Sequence, residues 1–323
     1  MKTQMIVLLA AAWMLGSPVT GLAQTSVLTP GQTLDRRAIS DLEFSPNGSQ
    51  LVFTVAEAPK GTTRERNLWL LDVPTGELRQ LTTAGRGGYG ARWSPDGRSI
   101  AFLSDRDGLR ERLYLLSMSG GEARQLVDRK ERVAAFRWSP NGRQLALLMA
   151  EPKSSELEKR ERDKDDGRVV DKGDRRERIW LLEVGATSSD QKMEAGSSDP
   201  ALRQITSGRW HIGQIEWAPT GDRLIAEATD RPESDQWTER IYSIALANGH
   251  FTEVSSPRGP FTGLKVSPDG QTIAYVGSRV DGPEAHDVFL LPAAGGAAQN
   301  ITSTSLDRPV AQLRWIDDRT LAG

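Results

Sequence analysis

A five-residue turn, Trp93-Ser94-Pro95-Asp96-Gly97, constrains this chain more than any other feature, because close variants of it recur along the sequence. In each copy an aromatic or apolar residue, here called the anchor, opens the turn, and a short apolar run follows. The copies are Phe44–Gly48, Trp93–Gly97, Trp138–Gly142, Trp217–Gly221 and Val266–Gly270. Proline presets φ, Asp or Asn tolerates the next conformation, and glycine takes the left-handed φ that ends the turn. The repeat therefore predicts a series of tight β-hairpins.

The spacing of the copies predicts the fold class. Their prolines, at 46, 95, 140, 219 and 268, are separated by 49, 45, 79 and 49 residues. Three of these gaps match the ~40–50-residue period of four-stranded propeller blades. The apolar run after each turn is continuous, which favours a strand covered on both faces, as in stacked blades. We predict an all-β chain, a β-propeller of four-stranded blades.

The chain is expected to hold an incomplete propeller: five blades plus the start of a sixth. A sixth unit begins at Leu313-Arg314-Trp315, and the sequence ends at Gly323, inside what would be its second strand. An open propeller leaves strand edges exposed. The interpretation is a fragment, or a truncated reading frame, of a longer protein.

The first residues have the pattern of a secretory signal peptide. Lys2 is followed by the apolar run 5–15, which is shorter than the roughly 20 residues of a membrane-spanning helix. Small residues then offer a cleavage site near Ala23-Gln24. The predicted organisation is a signal peptide at 1–23, a lead-in at 24–37 and the propeller at 38–323, in a periplasmic or secreted protein. An uncleaved anchor or a buried helix is the alternative.

Composition excludes several kinds of site and partner. The chain has no cysteine, so it can form neither a disulfide nor a cysteine-based zinc site. Its net charge is −2, from 41 basic and 43 acidic residues, which does not indicate a nucleic-acid partner. After signal cleavage no membrane association is expected.

The gap of 79 residues predicts insertions in the third repeat, at 151–178 and at roughly 185–200. The first insertion carries ten acidic and ten basic residues. Such a balance is typical of a solvated, mobile loop or short helix with weak ion pairs. The alternative is a loop that reaches a partner domain or borders a substrate entrance. Asp163–Gly167 departs from a calcium loop, because the glycine comes fifth and position twelve is Asp174.

No residue pattern indicates chemistry within the chain. The histidines, His211, His250 and His286, lack the His-Glu-x-x-His spacing and are interpreted as turn or surface residues. No serine lies in a Gly-x-Ser-x-Gly elbow. Gly120-Gly121 and Gly295-Gly296 are interpreted as hairpin turns, and the repeated tryptophans as core between blades, with ligand stacking as the alternative. We expect no catalytic, cofactor-binding or metal-binding residue.

The repeats resemble the propeller blades of the prolyl oligopeptidase family of serine peptidases, most closely its acylaminoacyl-peptidase and bacterial dipeptidyl-peptidase branches. The resemblance covers the chain from about residue 35 to its end. The residues that carry it are the turns at 93–98 and 138–143, the strand Leu68–Val73, the Arg168–Asp171 and Ile179–Leu182 segments, and Trp315–Leu321. The TolB-type propellers of the periplasm share the blade motif.

The resemblance implies a propeller that caps a C-terminal α/β-hydrolase domain and filters substrates by size. The family's catalytic triad lies in that domain, so none of its residues can be assigned to this sequence. An adjacent Glu-Glu pair, with which some dipeptidyl-peptidase relatives hold the substrate amine, does not occur here. The expected partners are a peptide substrate reached through the hydrolase domain or, for a TolB-like propeller without enzymatic activity, another protein.

Overall fold

The structure is a computed structural model. It describes residues 36–59, 64–83, 87–106, 111–164, 176–184, 202–234, 237–279, 286–302, 308–310 and 312–323. The predicted signal peptide and the predicted insertion at 185–200 lie outside the described residues. Every strand and helix of the described residues belongs to the compact unit Arg37–Gly323. Within the described ranges no helix has both the length and the apolar character needed to cross a membrane.

Twenty-two strands follow one another along the described part of this unit. The first three blades contain β1 (Ala38–Phe44), β2 (Gln50–Ala56), β3 (Arg66–Asp72), β4 (Leu78–Gln80), β5 (Tyr89–Trp93), β6 (Ser99–Ser104), β7 (Arg112–Ser117), β8 (Arg124–Gln125), β9 (Val133–Trp138), β10 (Gln144–Ala150), β11 (Glu177–Glu183) and β12 (Leu202–Gln204). The remainder are β13 (His211–Trp217), β14 (Arg223–Thr229), β15 (Arg240–Ala245), β16 (Phe251–Ser255), β17 (Phe261–Val266), β18 (Thr272–Gly277), β19 (Asp287–Pro292), β20 (Gln299–Asn300), β21 (Arg314–Trp315) and β22 (Leu321–Ala322). The one helix of the described residues, α1, is Ser155–Arg162.

Each successive group of four strands forms a separate antiparallel sheet in which spatial order follows chain order. These sheets are blades 1 to 5, and β21 and β22 form a further two-stranded hairpin. The first strands of consecutive blades contact one another, β1 with β5, β9 with β13, β13 with β17 and β17 with β21, and the Trp138 indole of β9 contacts β5. We therefore place β1, β5, β9, β13, β17 and β21 along the inner wall of the propeller. The predicted β-propeller of five blades and the start of a sixth is confirmed.

The repeated turn is stabilised by its own side chains. In blade 1 the amide of Gly48 donates to the carbonyl of Ser45 at 2.8 Å, with Gly48 at φ 73°. The Ser45 hydroxyl donates to Oδ1 of Asn47 at 2.7 Å and accepts from the amide of Gln50 at 3.0 Å. Blades 2, 3 and 5 repeat these bonds. Blade 4 has Ala218 in place of the serine, so its turn lacks the hydroxyl.

The anchor tryptophans connect consecutive blades, which confirms their predicted place between blades. Each donates its indole N–H to the carbonyl of the residue that precedes the anchor of the previous blade. The four bonds are Trp93 to Glu43 (3.2 Å), Trp138 to Arg92 (3.2 Å), Trp217 to Arg137 (3.0 Å) and Trp315 to Lys265 (3.2 Å). Blade 5 has Val266 as its anchor, and valine has no such donor.

The core lies between the blades. Strands β6 and β10 are buried at almost every position, as their continuous apolar runs predict. Ala146 and Leu148 of blade 3, for example, pack in one cluster with Ile215 and Leu224 of blade 4. Because the chain has no cysteine, hydrophobic burial between the sheets, and not disulfide bonds, stabilises the fold.

Blade 1 differs because one of its faces is not covered by any element of the described residues. Its second strand is only alternately buried. Leu42, two residues before the anchor, is 59% exposed, and the anchor Phe44 is 44% exposed. The residues equivalent to Leu42 in the other blades are all buried: Ala91, Phe136, Ile215 and Leu264. In blades 2 to 5 the equivalent face is covered by the preceding blade.

The predicted insertion at 151–178 is wrong at its end. Strand β11 begins at Glu177, and the side chain of Arg178 is 1% exposed. Arg178 is therefore buried and does not belong to a solvated loop. Helix α1 confirms a short helix within the insertion. Residues 165–175, with most of the rejected calcium-loop segment, lie outside the described residues.

Candidate functional site

Six charged residues form the inner rim of the propeller, and we call them the channel ring. Each lies on the first strand of a blade, directly before the anchor, so the repeat places all six at one level. The channel ring consists of Glu43, Arg92, Arg137, Glu216, Lys265 and Arg314. No turn or motif distinguishes them, and their equivalence emerges only when the blades are superposed by their anchors.

Ion pairs link neighbouring members of the channel ring across the seams between blades. Nη1 of Arg92 lies 3.1 Å from Oε2 of Glu43, and Nε of Arg137 lies 3.1 Å from Oε1 of Glu216. Lys265 also pairs with Oε1 of Glu216. Glu216 therefore bridges the first strands of blades 3 and 5 from its place in blade 4.

The two carboxylates of the ring have opposite pKa shifts. Burial raises the pKa of Glu43, and Arg92, the amide of Trp93 and Arg314 oppose it only in part. At Glu216 burial acts in the same direction, but Arg137 and Lys265 together outweigh it, so the pKa of Glu216 is lowered. The difference follows from the number of cations in contact, one at Glu43 and two at Glu216.

The channel ring as a whole is positively charged. Four cations face two carboxylates, which leaves a formal charge of +2 although the entire chain carries −2. Arg314 is exposed and forms no ion pair with a described residue, while its field still acts on Glu43. Charges of mainly one sign that are gathered at one place raise the local electrostatic potential. The ring can therefore attract anionic groups.

A second polar cluster lies at the seam between blades 3 and 4, where the charged insertion is attached. The buried guanidinium of Arg178 pairs with Glu151 and donates to the backbone carbonyls of Gly208 and Trp210. Trp210 in turn stacks on Phe251, with ring centroids 4.0 Å apart. The base of the insertion is thus fixed to the β12–β13 connection by a buried arginine, although the charged residues around it in the sequence predict exposure.

A half-buried glutamate supports the seam between blades 4 and 5. The amide group of Gln214 donates to the carboxyl of Glu227, and its oxygen accepts from the amide of Gly263 in blade 5 at 2.9 Å. Burial raises the pKa of Glu227 to about 7; the Gln214 bond opposes this shift and the negative charge of Glu239 adds to it. Glu227 is therefore a carboxyl that titrates near neutral pH.

Two clefts lie along the same seam, where the anchor is Val266. One, of about 300 Å³, is lined by Val266, Ile225 and Ala218 among others, on the side of the repeated turns. The other, of about 770 Å³, has the stacked rings of Tyr275 and Phe289 in its lining. A valine in place of tryptophan fills less of the space between two blades, which accounts for the cleft at the anchor.

The histidines and paired glycines lie in varied surroundings. His250 is exposed beside a turn, as predicted, whereas His211 and His286 are half-buried. Nδ1 of His211 accepts from the amide of Glu177 at 3.3 Å, and His286 contacts Asp287. Gly120-Gly121 and Gly295-Gly296 lie in turns between strands, as predicted. Within the described ranges, no three His, Asp or Glu residues are grouped as metal ligands.

Sequence reasoning missed the channel ring, although a signal for it exists. All six residues that directly precede an anchor are charged. A residue before a tight turn normally reads as ordinary strand surface, so the pattern appears only when the repeats are aligned. Arg178 and Glu227 carry no comparable signal, because their partners come from other strands and blades.

Comparison with known proteins relates this geometry to two groups of propellers. Residues 37–179 match the model of the TolB beta propeller domain. The chain is 27% identical to a dipeptidyl-peptidase 5 of Porphyromonas gingivalis, over 95% of this chain and 48% of that protein. The predicted resemblance is confirmed.

Solved structures share the propeller fold of this chain. An acylaminoacyl peptidase of Pyrococcus horikoshii has a TM-score of 0.58 at 15% identity, over 88% of this chain and 42% of that chain. A TolB-type protein of Agrobacterium tumefaciens has a TM-score of 0.54 at 15% identity, over 82% and 80%. The chain spans about half the length of the Porphyromonas gingivalis relative and smaller shares of two other curated relatives.

Proposed function

We propose that this chain is the propeller portion of an exported serine peptidase of the prolyl oligopeptidase family. In this proposal the propeller gates the access of peptides to a C-terminal α/β-hydrolase domain and takes no part in bond cleavage. The observation that carries the proposal is the similarity to dipeptidyl-peptidase 5, which extends over 95% of this chain but only 48% of that relative. A triad requires a nucleophile with its base, and the hydrolase domain supplies both in this family.

The uncovered face of blade 1 supports the same proposal. Leu42 and Phe44 are exposed where blades 2 to 5 have buried residues. Exposed apolar surface of this kind is normally covered by a neighbouring element. A further blade following the hairpin β21–β22 fits this position, because every other blade covers the one after it in the same way.

A periplasmic, protein-binding propeller of the TolB kind is the second candidate. It is favoured by the match of residues 37–179 to the TolB beta propeller domain. Such a protein has no enzymatic activity, and its contacts are to other proteins. In both proposals the product is exported after cleavage near Ala23-Gln24.

Sequencing the gene beyond the Gly323 codon separates the two candidates. The peptidase proposal expects an open reading frame that encodes a Gly-x-Ser-x-Gly elbow, with Asp and His further on, and a gene product that reacts with a fluorophosphonate probe. A stop codon after one more blade, together with an unlabelled protein, contradicts it. N-terminal sequencing of the exported protein tests the signal peptide, with Gln24 as the expected first residue.

A further inference from the structure

We propose that the channel ring is a selectivity site for carboxylate-bearing peptide segments. The inference rests on the proposed function in one respect, because it takes the central channel as the path of a peptide. It goes further by assigning a chemical class to what the channel admits: acidic segments are bound and basic ones are disfavoured. The six residues Glu43, Arg92, Arg137, Glu216, Lys265 and Arg314 form this site.

The first argument is geometric convergence. The members of the channel ring come from six different repeats, yet Glu43 contacts Arg92, and Glu216 contacts both Arg137 and Lys265. Only the closing of blades around an axis brings these side chains together. A ligand on the axis is therefore within reach of several of them at once.

The second argument is accessibility. The side chains of Arg92, Arg137 and Lys265 remain between 30% and 34% exposed although each is in an ion pair. Arg314 is exposed and has no ion pair with a described residue. This exposure leaves the cations of the ion pairs accessible to a further ligand. The guanidinium groups retain N–H donors with which to bind a carboxylate, and arginine does so with two parallel bonds.

The third argument is charge balance. Both carboxylates of the ring are already paired, Glu43 once and Glu216 twice, so the formal charge of +2 has no compensating anion among the six. Peptides bring carboxylates from two sources, acidic side chains and the C-terminus. A site built from arginine and lysine accepts either, so the experiment must distinguish them.

The test is direct binding of short peptides to the full chain, followed by fluorescence anisotropy. Matched dye-labelled hexapeptides carry either two Asp or two Lys at the centre, each as free acid and as C-terminal amide. At about 0.1 M salt we expect the acidic peptide to bind roughly tenfold more tightly than the basic one. If amidation leaves the acidic peptide's affinity unchanged, its side-chain carboxylates are the ligand; if amidation weakens the acidic and the basic peptide by the same factor, the C-terminal carboxylate binds as well. Both outcomes support an anion-selective ring.

Variants that change the charge of the ring in both directions make the test specific. Arg314→Gln lowers the formal charge to +1 and is expected to weaken the acidic peptide about three- to tenfold. Glu43→Gln raises it to +3 and is expected to strengthen binding by a similar factor. The gain in Glu43→Gln cannot come from a failure to fold. Arg319→Gln removes the same charge from the exposed β21–β22 turn and is the matched control, with unchanged affinity expected.

The inference is overturned if the basic peptide binds as tightly as the acidic one, if no peptide binds, or if Arg314→Gln and Arg319→Gln have equal effects. These results are independent of the gene sequence beyond Gly323. A missing hydrolase elbow would remove the peptidase proposal and leave an anion-selective propeller. If peptide binding did not depend on charge while the gene encoded a functional hydrolase, only the proposed selectivity would be removed.

Discussion

The seam between blades 3 and 4 and the seam between blades 4 and 5 are built from the same repeat but held together differently. At the first, the indole of Trp217 donates to the carbonyl of Arg137 at 3.0 Å, and the buried Arg178 adds a second connection. At the second, the anchor is Val266, and Gln214 supplies the cross-seam bond to Gly263 at 2.9 Å. One anchor residue thus determines whether a seam is closed by an aromatic ring or leaves a cleft.

The comparison shows that a repeat fixes the path of the backbone but not the strength of each seam. Blade 4 belongs to both seams and has the same four-stranded order as its neighbours. The seams differ only in side chains that the repeat leaves free to vary. Substitutions at these side chains can therefore break the stronger seam or reinforce the weaker one without altering the blade.

The largest effect is expected from Arg178→Met at the seam between blades 3 and 4. The change leaves the carboxylate of Glu151 without its buried partner and the carbonyl of Trp210 without this donor. The Glu151 side chain is 35% exposed and can be hydrated, so we expect the loss, about 3 kcal/mol, to come mainly from the carbonyls of Gly208 and Trp210, because a hydrogen bond from a charged donor is worth about 1.5–3 kcal/mol. The urea midpoint of unfolding measures the loss. Arg223→Met, which breaks an exposed pair with Asp222, is the control and should change the free energy of unfolding by less than about 1 kcal/mol.

Equal losses in the two variants would mean that Arg178 is no more important than a surface arginine. That result would remove the distinction between the seams. A large loss confined to Arg178→Met would show that the insertion base, and not only the anchors, holds blades 3 and 4 together.

The misassigned Arg178 also shows what sequence can predict here. The turn was predictable because Pro95, Asp96 and Gly97 each have intrinsic backbone preferences. The blade count followed from their spacing. Arg178 stands in a run of charged residues, which predicts solvent exposure, yet it is buried where the connection between β12 and β13 brings two carbonyls to it. The channel ring escaped prediction for the same reason, since each partner comes from the next repeat.

Glu227→Gln is expected to alter the pH dependence of the seam between blades 4 and 5. Because burial raises the pKa of Glu227 to about 7, the folded state holds its proton more tightly than the unfolded state does. The stability from this group is complete below about pH 4.5, falls as the pH rises towards 7, and is then constant. A shift of this size corresponds to about 3 kcal/mol in the free energy of unfolding.

The measurement is the difference in unfolding free energy between Glu227→Gln and the wild type at pH 4.5 and at pH 8. The difference should move in favour of the variant by about 3 kcal/mol between the two pH values. Glu253→Gln removes an exposed carboxylate that pairs with Arg240, and its difference should vary by less than about 1 kcal/mol. If the difference for Glu227→Gln did not change with pH, Glu227 would not make the stability of this seam depend on pH.

Exchanging the anchors tests the comparison directly. Trp217→Phe removes the indole donor to Arg137 and part of the buried ring, and we expect a loss of about 2 kcal/mol. Val266→Trp places an indole beside the cleft of about 300 Å³ and is expected to stabilise by about 1 kcal/mol. Thermal and urea unfolding measure both changes. Trp237→Phe, at a tryptophan that is 63% exposed, is the control for aromatic substitution and should be neutral.

Destabilisation by Val266→Trp would indicate that the backbone of blade 5 has adjusted to the smaller anchor and cannot accept the larger one. The cleft would then be a fixed feature of the seam. Stabilisation would show that the anchor alone sets the difference between the two seams.

The smallest effect is expected at the turn itself, where Ser94→Ala and Ala218→Ser are opposite changes. The Ser94 hydroxyl donates to Asp96 at 2.6 Å and accepts from the amide of Ser99 at 2.9 Å, so its loss should cost about 1 kcal/mol. The hydroxyl bond also holds the pKa of Asp96 below its usual value, and that pKa should rise in Ser94→Ala, as NMR titration can measure.

A serine at 218 can accept from the amide of Arg223 but has Thr220 in place of the acidic residue, so its gain should be smaller, about 0.5 kcal/mol. If Ser94→Ala left the pKa of Asp96 unchanged, the hydroxyl would not be what stabilises the turn, and the turn of blade 4 would not be weakened by its missing serine.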